Sequence, residues 1–282
     1  MRLFVHAGLH KTASTFFQHA LHDHREALAA RGVWYAAAPD FAAHHRAAWE
    51  LLGGGTALLD TMLAEARAAG MRAVILSSED LETVLHAPAT ASLIADRAAR
   101  VGASVEWHVV LREPGAYFAS LYAQLPWHVY VDVFWLFAEA MNKGGVLMPD
   151  PAPNWGGTPC WFYCFDQIRW LDSFVERSGQ RPLVHDYTDD RPFPGWRLLD
   201  RLGVLDVIER LPGEAGQNRR HAESTVRDGY RARIVEAGGS SIASQVDAAV
   251  SISLAAMPEC AKLVGDRFGD SHHTALTQYG GW

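Results

Sequence analysis

The chain has 282 residues, 49% of them hydrophobic and 20% charged, with a formal net charge of −7. That length fits one large α/β domain or two small ones, and the composition is that of a globular protein with a sizeable core. The acidic balance excludes a general nucleic-acid binder, which needs a basic surface for phosphates, and three cysteines are too few for a disulfide framework. Cys160-x-x-x-Cys164 has no matching ligand pair at zinc-site spacing, so the thiols read as free and no metal is expected. The N-terminus leads directly into an apolar run, and the sequence reads as free of a secretion signal and of an apolar stretch long enough to span a membrane. A cytoplasmic location is the expectation.

Leu3 to Val5 is a short apolar run that breaks at Gly8, and Phe17, Ala20 and Leu21 are apolar-periodic. The pattern predicts strand, loop and a helix running to about Arg31. A loop feeding a helix start points unpaired backbone N–H groups, and the positive end of the helix dipole, at whatever lies before it. Lys11 adds a full charge there, and Thr12, Ser14 and Thr15 add hydroxyl donors, which suits a multiply charged oxyanion. A plainer reading is that Thr15 and Gln18 form a capping box.

Val33-Trp34-Tyr35 follows, then an Ala- and His-containing stretch to Leu52. Its adjacent histidines, His44 and His45, point in different directions on a helix, which favours solvated or substrate-facing roles over metal ligation. Gly53-Gly54-Gly55 breaks the chain before helical spacing over 57–69. Ala73 to Leu76 reads as a buried strand ending in Ser77-Ser78-Glu79-Asp80, with helical pieces at Leu81–Leu85 and Ser92–Val101. Val105 to Leu111 is the next strand, in which His108 reads as a core residue. It closes in Arg112-Glu113-Pro114, and Pro114 suits the first turn of a helix. Residues 126–165 are aromatic-rich with a Gly/Pro-rich middle. A helix through Ile168, Leu171 and Phe174, a strand at Leu183–Tyr187, and a helix from Pro194 to Leu202 ended by Gly203 come next. Gly213 to His221 reads as a polar loop, and a mostly helical part begins at about 222. Strands alternating with helices predict an α/β fold, a central parallel sheet with helices on both faces. Such sheets bind ligands at the carboxyl ends of their strands, here the segments from Gly8, Ser77 and Arg112.

The loop G-L-H-K-T-A-S-T has Ala13 and Ser14 where a nucleotide-kinase P-loop needs Gly and Lys. Its lysine instead lies three residues after Gly8. This resembles the 5'-phosphosulfate loop of sulfotransferases that use 3'-phosphoadenosine 5'-phosphosulfate (PAPS), usually close to G-x-x-K-T-G-T-T, with departures at Ala13 and Ser14. A second element, Arg112-Glu113-Pro114 followed by Ser120 and Tyr122, resembles that family's 3'-phosphate site, an R-[DE]-P followed by S-x-Y. An arginine fork grips a phosphate by two bonds and a serine hydroxyl adds a third. Taken alone, Arg112 would as readily be a surface ion pair with Glu113 or Glu106.

The resemblance spans most of the chain and implies a P-loop NTPase-like, three-layer sulfotransferase domain over residues 1–282, with 126–165 as an aromatic-rich insertion. It implies transfer of a sulfuryl group from PAPS to an acceptor hydroxyl, on a glycan or a small alcohol or phenol, or to an amine. Adenosine 3',5'-bisphosphate is then the product. The donor would be held by His10, Lys11, Thr12, Ala13, Ser14, Thr15, Arg112 and Ser120, with Arg219 and Arg220 on a later loop. Lys11 would serve the leaving oxygen and Glu79 would be the base, with Asp80 the runner-up. Ser77 with Asp80 also fits a helix cap. A small-molecule kinase and a non-catalytic nucleotide-binding module are the alternatives. The partner expected is a small-molecule or glycan acceptor, with no nucleic acid and no metal.

Overall fold

The computed structural model describes all residues except 39, 130, 150–159, 190–191, 209–221, 237–242 and 281–282. Its strands are β1 (Arg2–His6), β2 (Val33–Trp34), β3 (Ala73–Ser77), β4 (Ser104–Leu111), β5 (Gly145–Pro149), β6 (Cys160–Cys164) and β7 (Pro182–Asp186). Five of them form one sheet in the order β2-β3-β1-β4-β7, parallel throughout, and β5 pairs with β6 as an antiparallel hairpin. The helices are α1 (Ser14–Asp23), α2 (Arg25–Ala30), α3 (His45–Leu52), α4 (Ala57–Ala68), α5 (Ala89–Arg100), α6 (Pro114–Gln124), α7 (Val133–Lys143), α8 (Gln167–Ser178), α9 (Trp196–Leu202), α10 (Glu223–Glu236) and α11 (Ala243–Tyr279).

Successive strand residues face opposite sides, so each central strand serves two cores. Leu3, Val5, Val74 and Leu76 pack with side chains from α3, α4, α5, α6, α8 and α11. Phe4 and Ile75 pack on the other side with Phe17, Leu21 and Leu28 of α1 and α2 and with Leu198, Leu199 and Leu202 of α9. Helices therefore cover both faces of a parallel sheet, as the alternating pattern predicts. Register sets His6 beside Ser77 on one flank and beside His108 on the other, so β1 and β3 end side by side while β4 runs three residues further to Leu111.

Several details differ from the sequence reading. The first helix breaks at His24, whose ring Nδ1 lies 2.9 Å from Ala20 O, and restarts as α2. The Thr15–Gln18 capping box does not form. The N-cap position is Ala13, in the left-handed region at φ 59, and it makes no side-chain cap bond. Residues Glu79–Leu85 form a 3-10 helix capped by Ser78, whose Oγ accepts the Asp80 N–H, so Ser77 is not the cap. The aromatic-rich segment contains α7 and the β5–β6 hairpin, which its continuous aromatic run and Gly/Pro-rich middle concealed. Pro114 does open α6, and the Glu113 carboxylate caps it by accepting the N–H groups of Gly115 and Ala116.

The helical C-terminal part expected from the sequence includes α11, which over Gln245–Tyr279 is long and apolar enough to cross a membrane by length and composition, whereas the sequence reading found no apolar stretch of that length. Its inner side buries Val264 and Phe268 and it crosses α6 closely. A Cβ on Gly115 would come within 2.6 Å of Ala261 O, so glycine is required at that crossing.

A row of polar side chains crosses the sheet inside the α1/α9 face. His6 Nδ1 lies 2.9 Å from Ser77 Oγ, and His108 Nδ1 lies 3.0 Å from His185 Nε2 with the rings stacked. Burial and the neighbouring His108 lower the His6 pKa to about 3, and burial followed by His108 does the same to His185. Both are neutral in the fold, so their contribution to stability is complete above the free histidine value of about 6.5 and is lost as pH falls below it. The urea midpoint should accordingly drop between pH 7.5 and pH 4.5, and His185→Gln should flatten that slope. An unchanged slope in the variant would show that the acid sensitivity arises elsewhere.

Candidate functional site

The segment from Gly8 to Thr15 leaves the central strand and is tied down on every side. Ala7 and Leu9 donate to His108 O and Val110 O, extending the β1–β4 ladder past the strand end. Thr12 Oγ1 donates to Leu9 O at 2.6 Å. Glycine is needed at position 8 because a Cβ there would meet that hydroxyl at 2.8 Å. Arg112 reaches across from the end of β4 and donates to Lys11 O at 2.7 Å.

Lys11 and Ala13 both have left-handed backbone, at φ 66 and φ 59, and are the only non-glycine residues among those described that do. Alternating left- and right-handed residues turn successive N–H groups toward one concavity, an anion nest. The N–H groups of Lys11, Thr12, Ala13, Ser14 and Thr15 donate to no described residue. They lie at the start of α1, where the helix dipole adds positive potential.

Beneath the nest, His10 is buried and its ring is set between two carboxylates. Its Nδ1 is 2.8 Å from Glu82 Oε2 and its Nε2 is 3.4 Å from Asp80 Oδ1. Burial alone would lower its pKa, but hydrogen bonds to Asp80 and Glu82 outweigh that and push it up to about 10. The Glu82 carboxylate also accepts the His10 N–H at 2.9 Å, the Tyr117 hydroxyl at 2.9 Å and the Cys164 N–H at 2.7 Å. One side chain therefore fastens the loop, α6 and β6 together. The sequence reading missed it, because Glu82 falls inside a piece read only as helical.

The Lys11 ammonium forms no hydrogen bond or ion pair with a described residue. Burial lowers its pKa, the Arg112 charge lowers it further, and Glu79 opposes both. Glu79, half-buried at the end of β3, accepts a hydrogen bond from Gln18 Nε2 at 2.9 Å. A lysine and a carboxylate thus share the mouth of the nest. Asp80, the runner-up, is engaged by His45 Nδ1 at 2.8 Å and by Trp49 Nε1 at 2.6 Å. Its bonds to His10 and His45 hold its carboxyl well below the usual range in spite of burial. It positions its neighbours and is not open to a substrate.

Arg112 pairs with neither Glu113 nor Glu106. Its guanidinium lies 5.0 Å from the Tyr187 ring centroid, and its backbone oxygen accepts from Gln167 at 2.8 Å. Ser120 is half-buried on α6, and its hydroxyl bonds to no described residue. His108 is in the core, as expected, and also bonds Glu106. His44, read as solvated or substrate-facing, is buried instead and holds the Ser77 N–H. Arg219 and Arg220 lie outside the described residues. No group of three or more His, Cys, Asp or Glu suited to a metal occurs among the described residues. No protein-family model, curated protein or solved structure matches the chain significantly.

Removing Glu82 would leave the His10 charge buried beside Asp80 alone. Glu82→Ala should cost about 3–5 kcal/mol in urea unfolding at pH 7. His10's raised pKa stabilises fully below the free value and loses its effect as pH climbs through about 10. The wild-type chain should weaken over that alkaline range, and the variant should weaken less. A variant within 1 kcal/mol of wild type, on the scale typical of a surface change, would contradict this.

Proposed function

We propose that the chain is a PAPS-dependent sulfotransferase with a P-loop-like fold, acting on an acceptor hydroxyl or amine. The observation that carries the reading is the nest: five N–H groups from Lys11 to Thr15 that bond to no described residue, at a helix start, with a lysine inside the turn. Their number suits a group with several anionic oxygens, and Lys11 sits where a nucleotide kinase has no lysine. Ala13 stands where the resembling family mostly has glycine, and it takes the left-handed backbone that glycine adopts most readily.

Support for a 3'-phosphate comes from Arg112, clipped to the loop, and from the unbonded Ser120 hydroxyl on the helix that follows. The donor, when bound, supplies the sulfuryl group. The Ser14 hydroxyl and the nest N–H groups, that of Thr12 among them, hold its phosphosulfate oxygens, while the Thr12 hydroxyl, read from the sequence as a donor to the anion, is spent on Leu9 O and braces the turn. Lys11 stabilises the charge that grows on the 5'-phosphate oxygen as the S–O bond breaks, where preorganised charge has most effect. Glu79, facing Lys11, takes a proton from the acceptor as that atom attacks sulfur.

Glu79→Gln keeps the shape and the bond from Gln18 but removes the base. Sulfate transfer should fall about 100- to 10,000-fold while donor affinity is nearly unchanged. Lys11→Ala should lower turnover more than it weakens adenosine 3',5'-bisphosphate, because its interaction strengthens in the transition state. Normal turnover in either variant would defeat the mechanism, and a Lys11→Ala variant that lost only affinity would make that residue a simple anchor.

A further inference from the structure

The two histidines at the start of α3 have different surroundings. Both nitrogens of His44 are committed: Nδ1 accepts the Ser77 N–H at 3.1 Å and Nε2 donates to Ala36 O at 3.0 Å. His45 keeps 17% of its side chain exposed. Its Nδ1 is held by Asp80 Oδ2 at 2.8 Å and lies 3.0 Å from Ser78 Oγ, while its Nε2 bonds to no described residue. Trp49 stacks on the ring at 5.9 Å and Phe41 meets it edge-on at 5.2 Å, which fixes its plane.

An imidazole whose Nδ1–H is fixed on a buried carboxylate presents the Nε2 lone pair outward and is made more basic. The same Asp80 carboxylate reaches His10 with its other oxygen, so His45 is one side chain away from the nest. His45 Nδ1 touches Ser78 and Asp80, the two chain neighbours of Glu79, and Glu79 is itself held by Gln18 of α1, so both side chains stand beside the mouth of the nest loop. Transfer to a hydroxyl needs one proton acceptor, and this mouth has two.

We infer that the acceptor is a primary amine whose two protons are taken in turn by His45 and Glu79, an inference that rests on the sulfotransferase reading above. The ammonium R–NH3⁺ gives its first proton to His45 Nε2, which frees the nitrogen lone pair. The nitrogen then bonds to sulfur as the bond from sulfur to the 5'-phosphate oxygen breaks, and that oxygen keeps the electron pair beside Lys11. The sulfurylated nitrogen, now positively charged, passes its second proton to Glu79 and leaves as R–NH–SO3⁻. Both residues return their protons to solvent.

The division follows from base strength. An alkylammonium holds its proton near the lysine value of about 10.4, so its removal calls for the stronger base. A sulfurylated ammonium is far more acidic, and a carboxylate suffices. For His45, burial works against the charged form, but the Asp80 hydrogen bond, the Glu79 charge and the Asp80 charge together raise its pKa, with His10 opposing them. The ring of His44, its chain neighbour, is neutral, because burial lowers its pKa to about 4. Glu79 and Asp80 also make the mouth attractive to a cation.

Matched probes test the inference: cyclohexylamine against cyclohexanol and benzylamine against benzyl alcohol, each with PAPS, following release of adenosine 3',5'-bisphosphate. The wild-type chain should prefer the amines. His45→Gln should slow amine transfer on the order of 100-fold at pH 7. The deficit relative to wild type should shrink to less than about tenfold at pH 9, where roughly a hundred times more of the amine is already neutral than at pH 7. A purely structural role for His45 would not give that rescue. A deficit equal at both pH values, a preference for the alcohols, or no amine transfer by a chain that binds adenosine 3',5'-bisphosphate would overturn the amine inference and leave the sulfotransferase reading standing. Failure of the wild-type chain to bind adenosine 3',5'-bisphosphate would overturn that reading and the inference with it.

Discussion

A carboxylate taken out of water must be repaid by donors, and Glu82 collects them from three parts of the chain. The His10 ring and backbone, the Tyr117 hydroxyl and the Cys164 N–H all converge on it. Its partner His10 is charged for the same reason, because burial between Glu82 and Asp80 is tolerable only as an imidazolium. The loop after β1, the helix after β4 and the hairpin strand β6 are thereby fixed relative to one another. The binding residues proposed for the two ends of the donor, in the loop and on α6, rest on that common support.

The loop carries strain that this support sustains. Left-handed backbone costs a residue with a Cβ roughly 1–2 kcal/mol, and both Lys11 and Ala13 adopt it. Strain of that kind persists where the surroundings over-determine the conformation. Here the surroundings are the bonds from Ala7, Leu9, Thr12 and Arg112. The return is a run of N–H groups, from Lys11 to Thr15, that donate to no described residue and whose backbone is already fixed.

Much of the sheet was legible because buried parallel strands are uninterrupted apolar runs, and Val74 to Leu76 or Val109 to Leu111 admit little else. Pro114 and Gly203 marked a helix start and a helix end for local reasons. The hairpin was hidden because Trp161, Phe162 and Tyr163 show no alternation. The edge strand β2 has two residues, too short for any periodic signal. Within the candidate site, Lys11, Glu79 and Arg112 stood at strand ends and could be found from that placement. Glu82, Gln18 and the His45–Asp80 pair could not, since their meaning lies in contacts between residues 35 to 82 positions apart.

The central claim is that the nest and Arg112 together recognise a nucleotide carrying both a 5' and a 3' phosphate, without a metal. Titration calorimetry of the wild-type chain with adenosine 3',5'-bisphosphate, 5'-AMP, and ADP plus Mg²⁺ tests it most directly. The account predicts that adenosine 3',5'-bisphosphate binds more tightly than 5'-AMP by a factor of about ten or more, the worth of one or two charge-assisted bonds, and that chelator leaves this unchanged. Tighter binding of ADP in the presence of Mg²⁺, or equal affinity for the two adenosine phosphates, would contradict it.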